Sequence, residues 1–269
     1  MGSQIAFTGK PLRRSITSRI NTSKLLPFGK SMLCVAVGLF VLTACGIKVK
    51  SSTDYLVSGN EYFKAGDYKR AEAEYREALR LEPKNPTATN NLGVILNETA
   101  RYDDAIETMH KALSFDPKNA IAHNVLASAL VHKERYDEAI VEAQKAIALD
   151  PTDAANVRIL ADAAMAKGDG TLALQAAQSA IKLDPDNDAH HSRLGRALYM
   201  SGNLDAAVVE EMKAVDLNPE NNEARLLLAR ILEKQGKRDE AIAQVKQVLH
   251  SNATNDDAKK MLDTLTTTQ

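Results

Sequence analysis

The sequence predicts an all-α solenoid of six helix–turn–helix units, each 34 residues long, closed by a C-terminal capping helix. Three observations predict it. Pro83, Pro117, Pro151, Pro185 and Pro219 stand 34 residues apart. With proline at about 5% of residues, four further prolines falling in that register by chance has odds of roughly one in 10⁵. Small residues keep the same period, and each period holds two apolar segments of helical spacing divided by a breaker. The composition agrees: 44% of residues are hydrophobic and only 4% aromatic, with no Trp, a profile that suits Ala- and Leu-rich helices better than a β-sandwich.

The units run 52–85, 86–119, 120–153, 154–187, 188–221 and 222–255. Counting within each, the eighth position reads Gly59, Gly93, Ala127, Ala161, Gly195 and Ala229, and the twentieth is Ala in every unit from Ala71 to Ala241. Small side chains there let the two helices of a unit approach closely. The twenty-seventh, Ala78 through Ala214 and then Val248, makes room for the next unit. Proline at position 32 cannot continue a helix and fixes the turn onward. The leucines at position 7 (Leu92, Leu126, Leu160, Leu194, Leu228) and the apolar residues at position 30 (Leu81, Phe115, Leu149, Leu183, Leu217) are expected to fill the seams. Breakers such as Gly66-Asp67, Gly168-Asp169 and Gly202-Asn203 separate the helices. Beyond the units, residues 256–269 read as a capping helix, with Met261, Leu262 and Leu265 on one face, followed by a short tail.

The N-terminal 44 residues read as an export address. Residues 1–53 contain no Asp or Glu, and six bases (Lys10, Arg13, Arg14, Arg19, Lys24, Lys30) precede the apolar run 32–44. Thirteen residues are too few for a membrane span, which needs about 20, and match a signal-peptide core. From the residues alone, a short membrane anchor stays open as the other reading. From residue 45 onward the chain carries 28 Lys and Arg against 35 Asp and Glu, a net of about −7. So acidic a body repels phosphates, and nucleic acid is not an expected partner. Cys34 and Cys45 are the only cysteines, so the main body holds neither a disulfide framework nor a cysteine metal site.

The small, leucine and proline positions quoted above match the tetratricopeptide repeat, and the chain resembles that family over 204 of its residues, 52–255, without an insertion. The resemblance implies a right-handed solenoid, no catalysis, and a concave groove lined by the first helix of each unit that holds extended or helical segments of other proteins. Carried onto this sequence, the groove residues are Asn60, Asn90, Asn91, Asn124, Arg158, Arg193, Arg196, Tyr199 and Arg230. They grade from amides at the N-terminal end, which can bond a peptide backbone as donor and acceptor, to arginines at the C-terminal end, which can pair with carboxylates. The pattern resembles the family's carboxylate clamp only in part: Asn60 and Asn91 fit, but Asn124 and Ser128 stand where a third-unit Lys and Arg belong.

A second resemblance concerns Leu42-Thr43-Ala44-Cys45-Gly46, which is similar to the lipobox of bacterial lipoproteins. It implies removal of residues 1–44, acylation of Cys45, and a short linker 45–51 leading into the repeats. More than one acyl chain makes such anchoring stable. The whole layout is similar to the tetratricopeptide lipoproteins of pilus and secretion-system assembly. It implies a scaffold lipid-anchored to the outer membrane or to the outer face of the cytoplasmic membrane. A docking regulator of peptidoglycan or polysaccharide enzymes is the alternative.

Nothing in the sequence points to catalysis, a metal or a cofactor. The adjacent His190 and His191 diverge by about 100° on a helix. His123 and His132 are nine residues apart, not the i,i+4 pair that a helical metal site uses. No Gly-rich phosphate loop, nucleophile elbow or CxxC appears. Acidic pairs such as Asp103-Asp104 and Asp137-Glu138 open second helices, where they favour the helix dipole.

Overall fold

The computed structural model describes residues 50–267. The residues that read as a signal segment, Cys45 and most of the expected linker lie outside the described residues, as do the last two residues of the tail. Six helix pairs follow one another: α1 (Ser52–Lys64) with α2 (Tyr68–Leu81), α3 (Pro86–Glu98) with α4 (Tyr102–Phe115), α5 (Ala120–His132) with α6 (Tyr136–Leu149), α7 (Ala154–Lys167) with α8 (Gly170–Leu183), α9 (Asp188–Met200) with α10 (Leu204–Leu217), and α11 (Asn222–Lys234) with α12 (Arg238–Ser251). A last helix, α13 (Asp256–Thr267), follows. All thirteen described elements are α-helices. None of them is long and apolar enough to cross a membrane.

Why these segments are helices is visible at their ends. Position 34 of each unit is Asn or Asp, and its side chain accepts from a backbone N–H in the first turn of the helix that follows: Asn85 from Ala88, Asn119 from Ala122, Asp153 from Ala155, Asn187 from Ala189, Asn221 from Ala224 and Asn255 from Ala258. These caps satisfy donors that a helix cannot satisfy itself. Ser51 caps α1 in a reciprocal box with Asp54. At position 15, between the two helices of a unit, the backbone turns left-handed. Gly66, Gly168, Gly202 and Gly236 occupy it in four units, with φ between 73° and 85°. Ala100 and Glu134 hold it at φ 57° and 58° despite their Cβ atoms.

Each first helix packs on its own second helix, and each second helix on the next first helix. Consecutive first helices also touch one another through all six units, whereas second helices have no comparable mutual contact. First helices therefore line the inner face and second helices the outer one. This is the arrangement of a tetratricopeptide-type solenoid. Its core runs from Ala71 to Leu194 as one apolar cluster, and a separate cluster lies under α13, where Ala258 and Leu265 cover Leu228, Leu232, Val245 and Val248. The capping helix thus removes from water a face that a seventh unit would otherwise cover.

Within each unit, position 8 on the first helix faces position 24 on the second, and their sizes compensate. Where position 8 is Gly, position 24 is long: Tyr75 against Gly59, Met109 against Gly93, Glu211 against Gly195. Where it is Ala, position 24 is Ala143, Ala177 or Val245, and all three are fully buried. A Cβ added to Gly59 would stand 2.5 Å from Cε1 of Tyr75, closer than close packing tolerates. The leucines of position 7 are buried, at most 8% exposed. Position 30 corrects its expectation. Leu81, Phe115, Leu149, Leu183 and Leu217 are between 37% and 47% exposed. Each is the last residue of its helix, so no further turn lies beyond it to cover the side chain.

Candidate functional groove

Position 4 of the first helix does a job its varied chemistry does not announce. His123 bonds the Pro117 carbonyl through Nε2 (3.1 Å) and Glu142 through Nδ1 (2.5 Å). His191 repeats this with Pro185 (3.0 Å) and Glu210 (2.7 Å). Arg225 donates to the Pro219 carbonyl and to Gln244 in the same geometry. In units 3, 5 and 6, then, position 4 ties the proline of the preceding unit to position 23 of its own second helix. The signal is present in the sequence: His or Arg at position 4 coincides with Glu or Gln nineteen residues later. Burial pushes the Glu142 carboxyl up, but hydrogen bonds from Lys145 and His123 outweigh it and hold it below the usual carboxylate range.

At the N-terminal end of the inner face, Tyr75 passes over Gly59 to reach the groove. Its hydroxyl donates to Oδ1 of Asn60 at 2.7 Å, and Nδ2 of Asn91 donates to the same oxygen at 2.9 Å. The structure brings Asn60 and Asn91 together on adjacent units, held by a tyrosine that is 1% exposed. Asn90 stands apart. It is buried and exchanges hydrogen bonds with Asn119 at 3.0 and 3.3 Å, tying α3 to the cap of α5. Asn124 donates to the Ala155 carbonyl and to Asn156, both at 3.0 Å, and so joins α5 to α7. Both amides are spent on holding units together.

The arginine end is paired internally. Asp162 accepts from Arg158 at 3.2 Å and from Arg193 at 2.8 Å, bridging units 4 and 5. Arg193 also donates to the Ala189 carbonyl, and Arg196 pairs with Glu223 of the sixth unit. Arg230 is exposed and makes no ion pair among the described residues. The Tyr199 ring lies under the Lys234 ammonium at 4.5 Å, an arrangement of the cation–π kind. The acids that neutralise these arginines, Asp162 at position 9 and Glu223 at position 2, are readable as groove positions but not as their partners. Long side chains on neighbouring helices choose among several acids by geometry.

Beneath this end lies Glu211, a residue the repeat pattern does not anticipate. It occupies the slot of Tyr75 and Met109, is 0% exposed, and neither carboxyl oxygen has a hydrogen-bond partner. Burial pushes its pKa up to about 8; the nearby Ser192 hydroxyl, which does not reach hydrogen-bond geometry, and the Arg196 charge oppose that rise without cancelling it. Among the described residues no cluster of three or more His, Cys, Asp or Glu is arranged to hold a metal ion.

Comparison with known proteins accords with this geometry. Two family models, each described as tetratricopeptide repeat, match the chain, one over residues 56–120, 98–154 and 160–215 and the other over 212–266. A TPR repeat-containing protein of Methanocaldococcus jannaschii is 36% identical over 61 residues, a stretch that is 23% of this chain and only 11% of that protein. Among solved structures, the type IV pilus biogenesis factor PilW superposes with a TM-score of 0.72 at 23% identity, over 78% of this chain and 98% of its own. PilF of Pseudomonas aeruginosa does so with a TM-score of 0.65 at 20% identity, over 78% and 95%. At such identities the likeness is one of fold. With its helix pairs, its period and the matched family models in agreement, the chain belongs to the tetratricopeptide repeat family, a family of protein-interaction scaffolds.

Proposed function

We propose that the chain is a lipid-anchored adaptor of a bacterial envelope, holding proteins of a pilus or secretion complex in its concave groove. One observation carries the reading: the amide pair that Tyr75 fixes on the inner face. With Oδ1 of Asn60 and Nδ2 of Asn91 engaged inside the cluster, Nδ2 of Asn60 and Oδ1 of Asn91 are left to bond a partner. A donor and an acceptor on adjacent units match the alternating groups of an extended peptide backbone. The likeness to PilW and PilF along nearly their whole length supports a pilus-type assembly. The lipobox-like sequence ending at Cys45 supports the anchor.

Co-purification from detergent-solubilised membranes tests the assignment. Pilin or secretin subunits are the expected partners. Recovery of peptidoglycan or polysaccharide enzymes in their place would transfer the protein to the docking-regulator reading. Fatty-acid labelling tests the anchor, and it should vanish in Cys45→Ala; undiminished labelling in that variant would remove the lipid from the account.

A further inference from the structure

In units 3, 5 and 6 the side chain at position 4 joins the proline carbonyl of the preceding unit to position 23 of its own second helix, through His123, His191 and Arg225. Unit 4 fills the same slot with an apolar pair, Val157 and Ala176, both buried. Unit 2 does neither. Thr89 stands at position 4 and Thr108 at position 23, and the Thr89 hydroxyl turns back to donate to the Asn85 carbonyl at 2.8 Å. The Thr108 hydroxyl and the Pro83 carbonyl have no hydrogen-bond partner among the described residues. Pro83, Thr89 and Thr108 line a cavity of about 340 Å³ on the outer side of the joint between units 1 and 2. One joint further on, the corresponding cavity is lined by Pro117, His123 and Glu142, and there the chain supplies its own ring.

We propose that the cavity at the joint of units 1 and 2 receives a histidine side chain of a protein partner, bound as the neutral ring in the place that His123 and His191 hold in their own units. A neutral imidazole has one donor and one acceptor. Its N–H meets the Pro83 carbonyl, and its unprotonated nitrogen accepts from the Thr108 hydroxyl. Leu79, Leu92 and Phe115 supply apolar walls for the faces of the ring. Charge selects the neutral ring over an imidazolium or a guanidinium. Glu142 and Glu210 stand beside the rings of units 3 and 5, whereas Thr108 brings no charge. Arg76 and Arg80 from α2 and Lys111 from α4 line the cavity against Glu107, and Lys84 lies over the Phe115 ring at 5.1 Å. Glu72 and Glu77 hold the two arginines. The remaining balance, Lys84 and Lys111 against Glu107, still opposes a cation. The site lies apart from the concave groove and gives a partner a second hold on the chain.

Imidazole itself is the probe, added to the full chain in detergent micelles. At pH 8 it should shift the amide resonances of Lys84, Thr89 and Thr108, and N-methylimidazole, which lacks the N–H, should not. Its apparent affinity should fall at least about tenfold between pH 8 and pH 5.5, as the ring takes up its second proton. Thr89→His combined with Thr108→Glu, which writes the pair of units 3 and 5 into unit 2, should fill the slot from within and abolish the response. Thr108→Val should weaken binding about fivefold through the loss of one hydrogen bond, and it carries the test if the double variant does not fold. An equal response to N-methylimidazole, an affinity that holds at pH 5.5, or an undiminished response in either folded variant would overturn the site. So would silence of all three amides at every concentration of imidazole. None of these results touches the co-purification test of the groove.

Discussion

Glu211 shows how one side chain can set the pH response of a repeat protein. Its pKa stands near 4.5 in an unfolded chain and is pushed up to about 8 in the fold. The folded state therefore keeps a proton that the unfolded state has released between those values. The contribution to stability is complete below about pH 4.5 and is lost as pH rises toward 8, by about 1.4 kcal/mol per pH unit in the middle of the window. Thermal unfolding followed from pH 5 to pH 8 should show that loss. Glu211→Met should flatten the curve and stabilise the protein at pH 8 by about 1–3 kcal/mol, since a buried unpaired acceptor is removed. A parent and variant with parallel pH profiles would mean that the carboxyl is solvated. The column of residues at position 24 makes this site legible in principle: Tyr75, Met109, Ala143, Ala177, Glu211, Val245. Small residues at position 8 announce close packing, yet only the structure shows which side chain fills the space that Gly195 leaves. The internal pairing of Arg158, Arg193 and Arg196 is not legible, because it depends on distances between side chains of different units.

Helices and turns are the most legible level, since the 34-residue spacing places the helix pairs and most of the breakers between them. Position 15 is the exception that tests the reasoning. Four units put Gly at the left-handed turn, whereas Ala100 and Glu134 endure it. A left-handed residue with a Cβ costs about 1–2 kcal/mol, and glycine's extra freedom in the unfolded chain returns roughly 0.5–1 of that. Glu134→Gly should therefore stabilise by about 0.5–1 kcal/mol, or about 1–4 °C in Tm for a domain of this size. Gly202→Ala, at φ 82°, should move Tm the other way. Calorimetry on the two variants checks the pair, and a destabilised Glu134→Gly would show that the turn is not strained. The unit-to-unit tie that His123 makes with Glu142 answers to pH on the acid side. With the Glu142 carboxyl held below its usual range, its contribution is present above the unfolded value and is lost as pH falls through the folded one. The exposed stripe at position 30 is misread from the sequence because an apolar periodicity reports the face of a helix, not whether its final turn is covered.

At the scale of the molecule, the period that predicts the fold also separates an inner surface of polar first helices from an outer surface of second helices. The inner surface is less open to a partner than its residue types suggest. Asn90 and Asn124 hold units together, and Asp162 and Glu223 neutralise three arginines. What remains available is the Asn60–Asn91 pair at one end and the exposed Arg230 at the other. A partner that uses both ends must extend along several units, which gives binding by an extended segment rather than by a single pocket. Photo-crosslinking in intact cells tests that claim most directly. A photoreactive residue would replace Ser128 or Arg230 on the inner face, or Gln144 or Gln178 on the outer face. Capture of one and the same partner from both inner positions, with none from the outer ones, is the predicted result; capture from the outer positions alone would contradict the groove as the working surface.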